Sequence, residues 1–216
     1  MYRSVLALVA VALGTPLMVG GCASQPSRFY LLSALPSAET VALAPSGEQG
    51  PTIGVGPVTL PRYVDRPQII TRTSPYELQL AEFDRWAESL DTNFSRVLAD
   101  NLSLLIPASR VVIAPWLRTT PIDYQIIVEV THFLSQLGGE SLLIADWTLF
   151  KGEGQQALIS GKSRFSAATG GQDYAAIVAA MSQTVASLSR EIATAIRGVG
   201  SRASTRQGFS REPITP

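Results

Sequence analysis

Apolar residues change their spacing several times along this chain, and each change marks a new element. Residues 5–19 are almost continuously apolar (VLALVAVALGTPLMV), after a start whose only charged side chain is Arg3. That is the pattern of an export signal. Gly14 and Pro16 interrupt the run, it falls short of the roughly 20 residues of a spanning helix, and no basic cluster follows it, so a retained transmembrane anchor is the weaker reading. Residues 28–32 (RFYLL) suit a strand. Residues 36–51, rich in Pro, Ala, Ser and Gly, read as a loop or as part of a tether. Residues 52–60 alternate, with Ile53, Val55 and Pro57 on one face and Gly54, Gly56 and Val58 on the other. Glycines gathered on one face predict that something approaches the backbone closely there. A turn at 61–67 leads into two short strands, 68–73 and 76–81, joined at Ser74-Pro75.

The period then lengthens. Phe83, Trp86, Leu90, Phe94, Val97, Leu98, Asn101, Leu102 and Leu105 recur at three and four residues, which predicts an amphipathic helix of about six turns. Asp84 is its expected N-cap and Pro107 its stop. Alternation returns at 110–114, 123–133, 142–150 and 156–166, with Gly152-Glu153-Gly154 as a turn. Strands so close in sequence predict an antiparallel meander. A second helix is expected over 172–197, striped by Tyr174, Ile177, Val178, Met181, Val185, Leu188, Ile192 and Ile196 and ended by Gly198. The remainder, 198–216, is polar and is expected to be disordered. The fold class predicted is α+β: a mostly antiparallel sheet with two long amphipathic helices packed on one face.

The cysteine count sharpens the reading of the N-terminus. Cys22 is the sole cysteine, and it ends Val19-Gly20-Gly21-Cys22, an aliphatic residue, two small residues and a thiol. This is the bacterial lipobox, with glycine at the second small position less usual. The thiol takes a diacylglycerol, the small residues admit the peptidase, and Cys22 becomes the acylated first residue. The chain then divides into a signal peptide at 1–21, a lipid-anchored tether at 22–27, a periplasmic domain at 28–197 and the tail. Several acyl chains hold far more firmly than one. With Ala23 and Ser24 following and no Asp after the cysteine, the sorting rule of enteric bacteria points to the outer membrane. No disulfide is available, so the fold must rest on its core.

Charge and chemistry chiefly exclude. The 17 basic and 17 acidic side chains balance, and losing Arg3 leaves the mature chain nearly neutral, which argues against a nucleic-acid partner. One histidine, His132, cannot assemble a metal site, and it sits in an alternating strand where an ordinary sheet position explains it. Nucleophile-elbow, P-loop and dinucleotide fingerprints are missing. No catalytic residue, metal ligand or cofactor is assigned beyond the acyl chains on Cys22, and an enzyme is not expected. Asp84 and Glu88 read as part of a solvated helix face.

Two segments exceed what packing requires. Residues 61–72 (PRYVDRPQIITR) set Arg62, Tyr63, Asp65, Arg66 and Arg72 around two prolines. They read either as a rigid binding loop or as a proline-fixed turn in which Asp65 pairs with Arg62 or Arg66. Residues 82–90 (EFDRWAESL) are the second. Together with the lipobox, RFYLL, Pro115-Trp116 and SLSREIATAI, these segments resemble the PqiC/YmbA family of ABC-type transport auxiliary lipoproteins, over about 28–197. The resemblance implies lipid trafficking across the envelope, with MCE-domain proteins that bridge the two membranes as partners. It implies an adaptor docked at the outer membrane, with no catalytic residues, and a ring-shaped homo-oligomer. Arg62, Tyr63, Asp65, Arg66 and Arg72 are the expected partner-facing residues, since aromatic and charged loop residues often anchor interfaces. A lipid carrier in its own right, with the helix stripes lining a cavity, and an envelope hydrolase are the competing readings.

Overall fold

The long alternating segments build the centre of the sheet. A computed structural model describes residues 25–36, 50–107 and 109–209, the last nine for their backbone only. The strands are β1 (Arg28–Tyr30), β2 (Thr52–Thr59), β3 (Gln68–Ser74), β4 (Glu77–Trp86), β5 (Arg110–Ile113), β6 (Tyr124–Ser135), β7 (Glu140–Lys151) and β8 (Gln156–Ala168); the helices are α1 (Leu90–Leu105) and α2 (Tyr174–Phe209). Cys22, the signal-peptide residues, most of the 36–51 loop and the last residues of the tail lie outside the described residues.

The expected meander is β6–β7–β8, paired antiparallel along nearly the whole of each strand, and β3–β4 is the expected hairpin. What joins these units is parallel: β2 lies between β5 and β6 and runs parallel to both, β3 meets β6 in parallel at Thr71–Ser135, and β1 runs parallel to the end of β4. All eight strands form one mixed sheet, in the order β1-β4-β3-β6-β2-β5 with β7 and β8 continuing from β6. Alternation sees only the period of a strand, so it could not supply these long-range partners.

Both helices cover the same sheet face. Phe94 of α1 meets Phe133 of β6 edge-on, with ring centroids 5.6 Å apart, and the indole N–H of Trp147 on β7 donates to Glu191 of α2 at 3.1 Å. Phe133 pairs with Leu143, two positions before Ala145 and four before Trp147, so Phe133 and Trp147 point the same way. Ile126, Val128, Phe133, Leu143, Leu149, Ile177 and Leu188 fill the space between the layers and are fully buried. The stripes thus make a packed core, which works against the carrier reading in its form of a cavity between helices and sheet. On the other side of β2 the glycines do what their clustering predicts: a Cβ on Gly54 would lie 2.9 Å from the ring of Trp116.

Three expectations are corrected. The first helix begins at Leu90, with Ser89 as its N-cap, and Phe83 to Trp86 belong to β4. The strand is bulged there: Gln68 faces Arg85 while Ile70 already faces Leu80, and β4 buries Ala81, Asp84 and Trp86 while Phe83 is only partly buried, so the three-residue step from Phe83 to Trp86 is not a helix face. Asp84 is therefore neither a cap nor part of a solvated face; it is 4 % exposed. At the other end α2 does not stop at Gly198 but continues to Phe209, because Gly in a helix interior costs only about 1 kcal/mol relative to Ala. The expected disordered tail thus begins, over 198–209, as helix.

Candidate functional site

The turn between β2 and β3 is fixed by its own backbone. Val64 donates to the carbonyl of Pro61 at 3.0 Å and Arg66 to that of Val64 at 2.9 Å, while the Val64 side chain is buried. Pro67 accepts from the Trp86 amide at 2.7 Å, and the next amide, Ala87, donates to Tyr30 at 2.9 Å. These bonds bring together the two segments that stood out in the sequence. Asp65, Arg66 and Pro67 form one wall of a cleft of about 350 Å³; Trp86, Ala87, Glu88 and Ser89 form the other. Glu88 is held by Arg96 of α1, and Ser89 donates to Thr92 at 2.8 Å. Asp65 and Arg66 are exposed, and among the described residues Asp65 forms no ion pair with Arg62 or Arg66, so the turn does not rest on that pairing.

The five expected residues do not converge on one site. Arg62 is exposed and lines neither this cleft nor the next. Tyr63 is half-buried; burial raises its hydroxyl pKa, partly offset by the charge of Arg72 and a hydrogen bond with the Phe133 backbone. Arg72 lies on the sheet face away from the helices, in a cleft of about 150 Å³ with His132, Ser135 and Glu140. Burial pushes the His132 imidazole below its ordinary pKa, helped by the charges of Arg72 and Arg164. Ser135 shares this cleft, but its hydroxyl makes no hydrogen bond with His132.

Sequence reasoning missed the features that hold the N-terminal segment. Asp84 accepts from Arg28 Nε at 2.8 Å and from the Tyr30 hydroxyl at 2.8 Å. This raises the Arg28 pKa through hydrogen bond and charge; that of Tyr30 rises mainly by burial. Beyond β1, the Leu32 amide donates to Asn93 at 2.6 Å, Ser33 to Ser182 at 3.0 Å and Leu35 to Asn101 at 2.7 Å, and Asn101 donates onward to Ser189 at 3.0 Å. Residues 32–35 are thus strapped across both helices. The available signal was Asn93 and Asn101, two amides inside an otherwise apolar helix stripe, where a buried polar group must have a partner.

The model of the ABC-type transport auxiliary lipoprotein component matches residues 30–193, spanning both walls of the cleft, the strap, α1 and the first part of α2. This chain belongs to that family. Two solved structures share the fold of this auxiliary lipoprotein. One, described only as an uncharacterized protein, is 22 % identical with a TM-score of 0.65, covering 80 % of this chain and 99 % of the other. The second, a Xanthomonas campestris protein designated DUF330, is 18 % identical with a TM-score of 0.63, covering 82 % and 99 %. No curated protein matches this chain. The family is one of transport components and not of enzymes, and its members are lipoproteins, which fits a membrane-associated place in the cell envelope.

Proposed function

We propose that this auxiliary lipoprotein is acylated on Cys22, sits on the periplasmic face of the outer membrane, and acts as an adaptor that docks an MCE-domain protein of an intermembrane lipid transport system, contributing to envelope integrity. The observation that carries this reading is the cleft in which the Asp65–Arg66 turn meets Trp86 to Ser89 inside the family-matched region. Its backbone is fixed before any partner arrives, so little ordering entropy is lost on docking. Arg66 offers an exposed guanidinium at its rim, suited to a carboxylate or backbone carbonyl of the partner. Capture of the MCE protein by wild type and by Arg66→Glu tests it. We expect at least about a tenfold loss of affinity, the range of a charge reversal at an interface anchor; unchanged capture removes the cleft from the interface. Cys22→Ser should leave the protein unprocessed or soluble, and its continued fractionation with outer-membrane vesicles would sink the anchor.

One observation favours a lipid-carrier role as the second reading. An apolar groove of about 400 Å³ runs between the strap and α2, lined by Tyr30, Leu35, Pro36, Val178 and Ala186 among others. Native mass spectrometry of protein purified without denaturation decides it: absence of co-purifying phospholipid argues against this role.

A further inference from the structure

The edge strand β1 turns its apolar side chains outward. Phe29 is 64 % exposed and Leu31 42 %, although both lie in a segment tied firmly to the domain. The tie comes from the residues between and beyond them. Arg28 and Tyr30 point to Asp84 on the helix side of the sheet, and Leu32, Ser33 and Leu35 are bonded through their amides to the helices. Phe29 pairs with Arg85 and therefore faces the other way. The side chain of Phe29 is not needed to hold β1, and exposing a phenyl ring to water is unfavourable.

The position of these side chains relative to Cys22 says what covers them. Five residues lie between Cys22 and Arg28, and the six residue-to-residue steps reach at most about 20 Å when extended. From Arg28 onward the chain has no slack, because the Asp84 pair and the strap fix it. The β1 edge of the domain is therefore held within about 20 Å of any lipid attached to Cys22. Aromatic and aliphatic side chains held beside a bilayer enter the headgroup–acyl boundary readily.

We propose that Phe29 and Leu31 insert into the surface of the bilayer that holds the anchor, so that the domain is oriented on the membrane with its β1 edge down and not merely tethered to it. This rests on acylation of Cys22. The anchor supplies the affinity, and the two side chains supply the orientation. The cleft of Asp65 and Arg66 then lies at the membrane-proximal end, because Ala87, in its wall, is bonded to Tyr30 of β1.

The test uses the full-length mature lipoprotein in phosphatidylethanolamine–phosphatidylglycerol vesicles. Bimane is placed on Phe29→Cys, Leu31→Cys or, as the reference, Leu117→Cys, and quenching by acyl-chain-brominated lipid is measured. Leu117 is also an exposed apolar side chain, 75 % accessible, but it follows β5 at the opposite end of the strand order from β1, about 24 Å across five strand spacings. Quenching at 29 and 31 should exceed that at 117 by about threefold or more, as insertion to the acyl boundary requires. Vesicle flotation and circular dichroism of each labelled protein confirm that it is anchored and folded. If anchored, folded protein shows equal quenching at all three positions, the orientation is wrong while the anchor stands. If the protein does not float at all, the anchor fails and the orientation falls with it.

Discussion

At the scale of single residues, Asp84 does the most. It is a buried carboxylate at the end of β4 that gathers the Arg28 guanidinium and the Tyr30 hydroxyl, and so fastens the sheet's edge strand. Truncation leaves the Tyr30 hydroxyl without its acceptor and loosens β1. Asp84→Ala should destabilise the domain by about 2 kcal/mol, the cost of orphaning a partly buried polar group, measured by urea unfolding; Asp84→Asn, which can still accept from Tyr30, should recover part of it. His132 makes a prediction of opposite chemical kind. Its pKa is lowered in the folded protein by burial, then by Arg72 and Arg164, from an ordinary value near 6.5. The unfolded chain therefore takes up a proton more readily than the native one as the pH falls below 6.5. The stability tied to a neutral His132 is present above that pH and is lost as pH drops through the depressed native value. In His132→Phe, the slope of unfolding free energy just below pH 6.5 should be shallower than in wild type. An unchanged slope would show that His132 is not the group titrating there.

Elements in this protein are positioned by small residues as much as by large ones. Gly161 of β8 pairs with Trp147 of β7, and a Cβ there would stand 2.7 Å from the indole ring. The ring lies over the glycine so that its N–H reaches Ser163 at 2.9 Å and Glu191 at 3.1 Å, while Ser163 donates to the same Glu191 oxygen at 2.5 Å. This is a polar rivet between the meander and α2. Gly161→Ala must push the indole off that oxygen, and it should cost about 1–3 kcal/mol, as overpacking does; the shift appears in the urea midpoint and in altered Trp fluorescence. Gly161→Ala with unperturbed stability would mean that the ring has room to move. The strand periods of β6 and β7 were legible in the sequence because burial alternates along much of each strand; β2, buried under the helices on one face and under Trp116 on the other, was legible from its alternating glycines. The start of α1 was not, because Phe83 and Trp86, which continue the three- and four-residue spacing of Leu90 and Phe94, belong to the bulged strand β4. The end of α2 was not either, because the helix carries Gly198 in its interior and local propensity is a weak guide against continued helical hydrogen bonding.

Across the whole molecule, the site was half legible. Composition picked out 61–72 and 82–90, and the fold brings Asp65 and Arg66 against Trp86 to Ser89; Arg72 goes to the far face of the sheet because β3 alternates and Thr71 takes the buried side. The strap was illegible because its hydrogen bonds come from backbone amides, which every residue has, meeting Asn side chains more than 60 positions away. Its consequence is mechanical. Under the proposed acylation of Cys22, a pull on the lipid enters the domain at Arg28 and passes through residues 32–35 to both helices. Asn101 is the key link, since its oxygen takes the Leu35 amide and its nitrogen reaches Ser189 on α2. Asn101→Ala removes both bonds and should weaken local closure of the strap by about 1–3 kcal/mol. In native-state hydrogen exchange the Leu32 and Leu35 amides should then exchange about tenfold to a hundredfold faster, while amides in β6 and β7 change only by the smaller loss in global stability. Asn93→Ala should do the same from the other side. The double variant should cost less than the two singles added, because once either bond opens the segment, the other protects less. Strict additivity would make the strap two independent contacts instead of one unit.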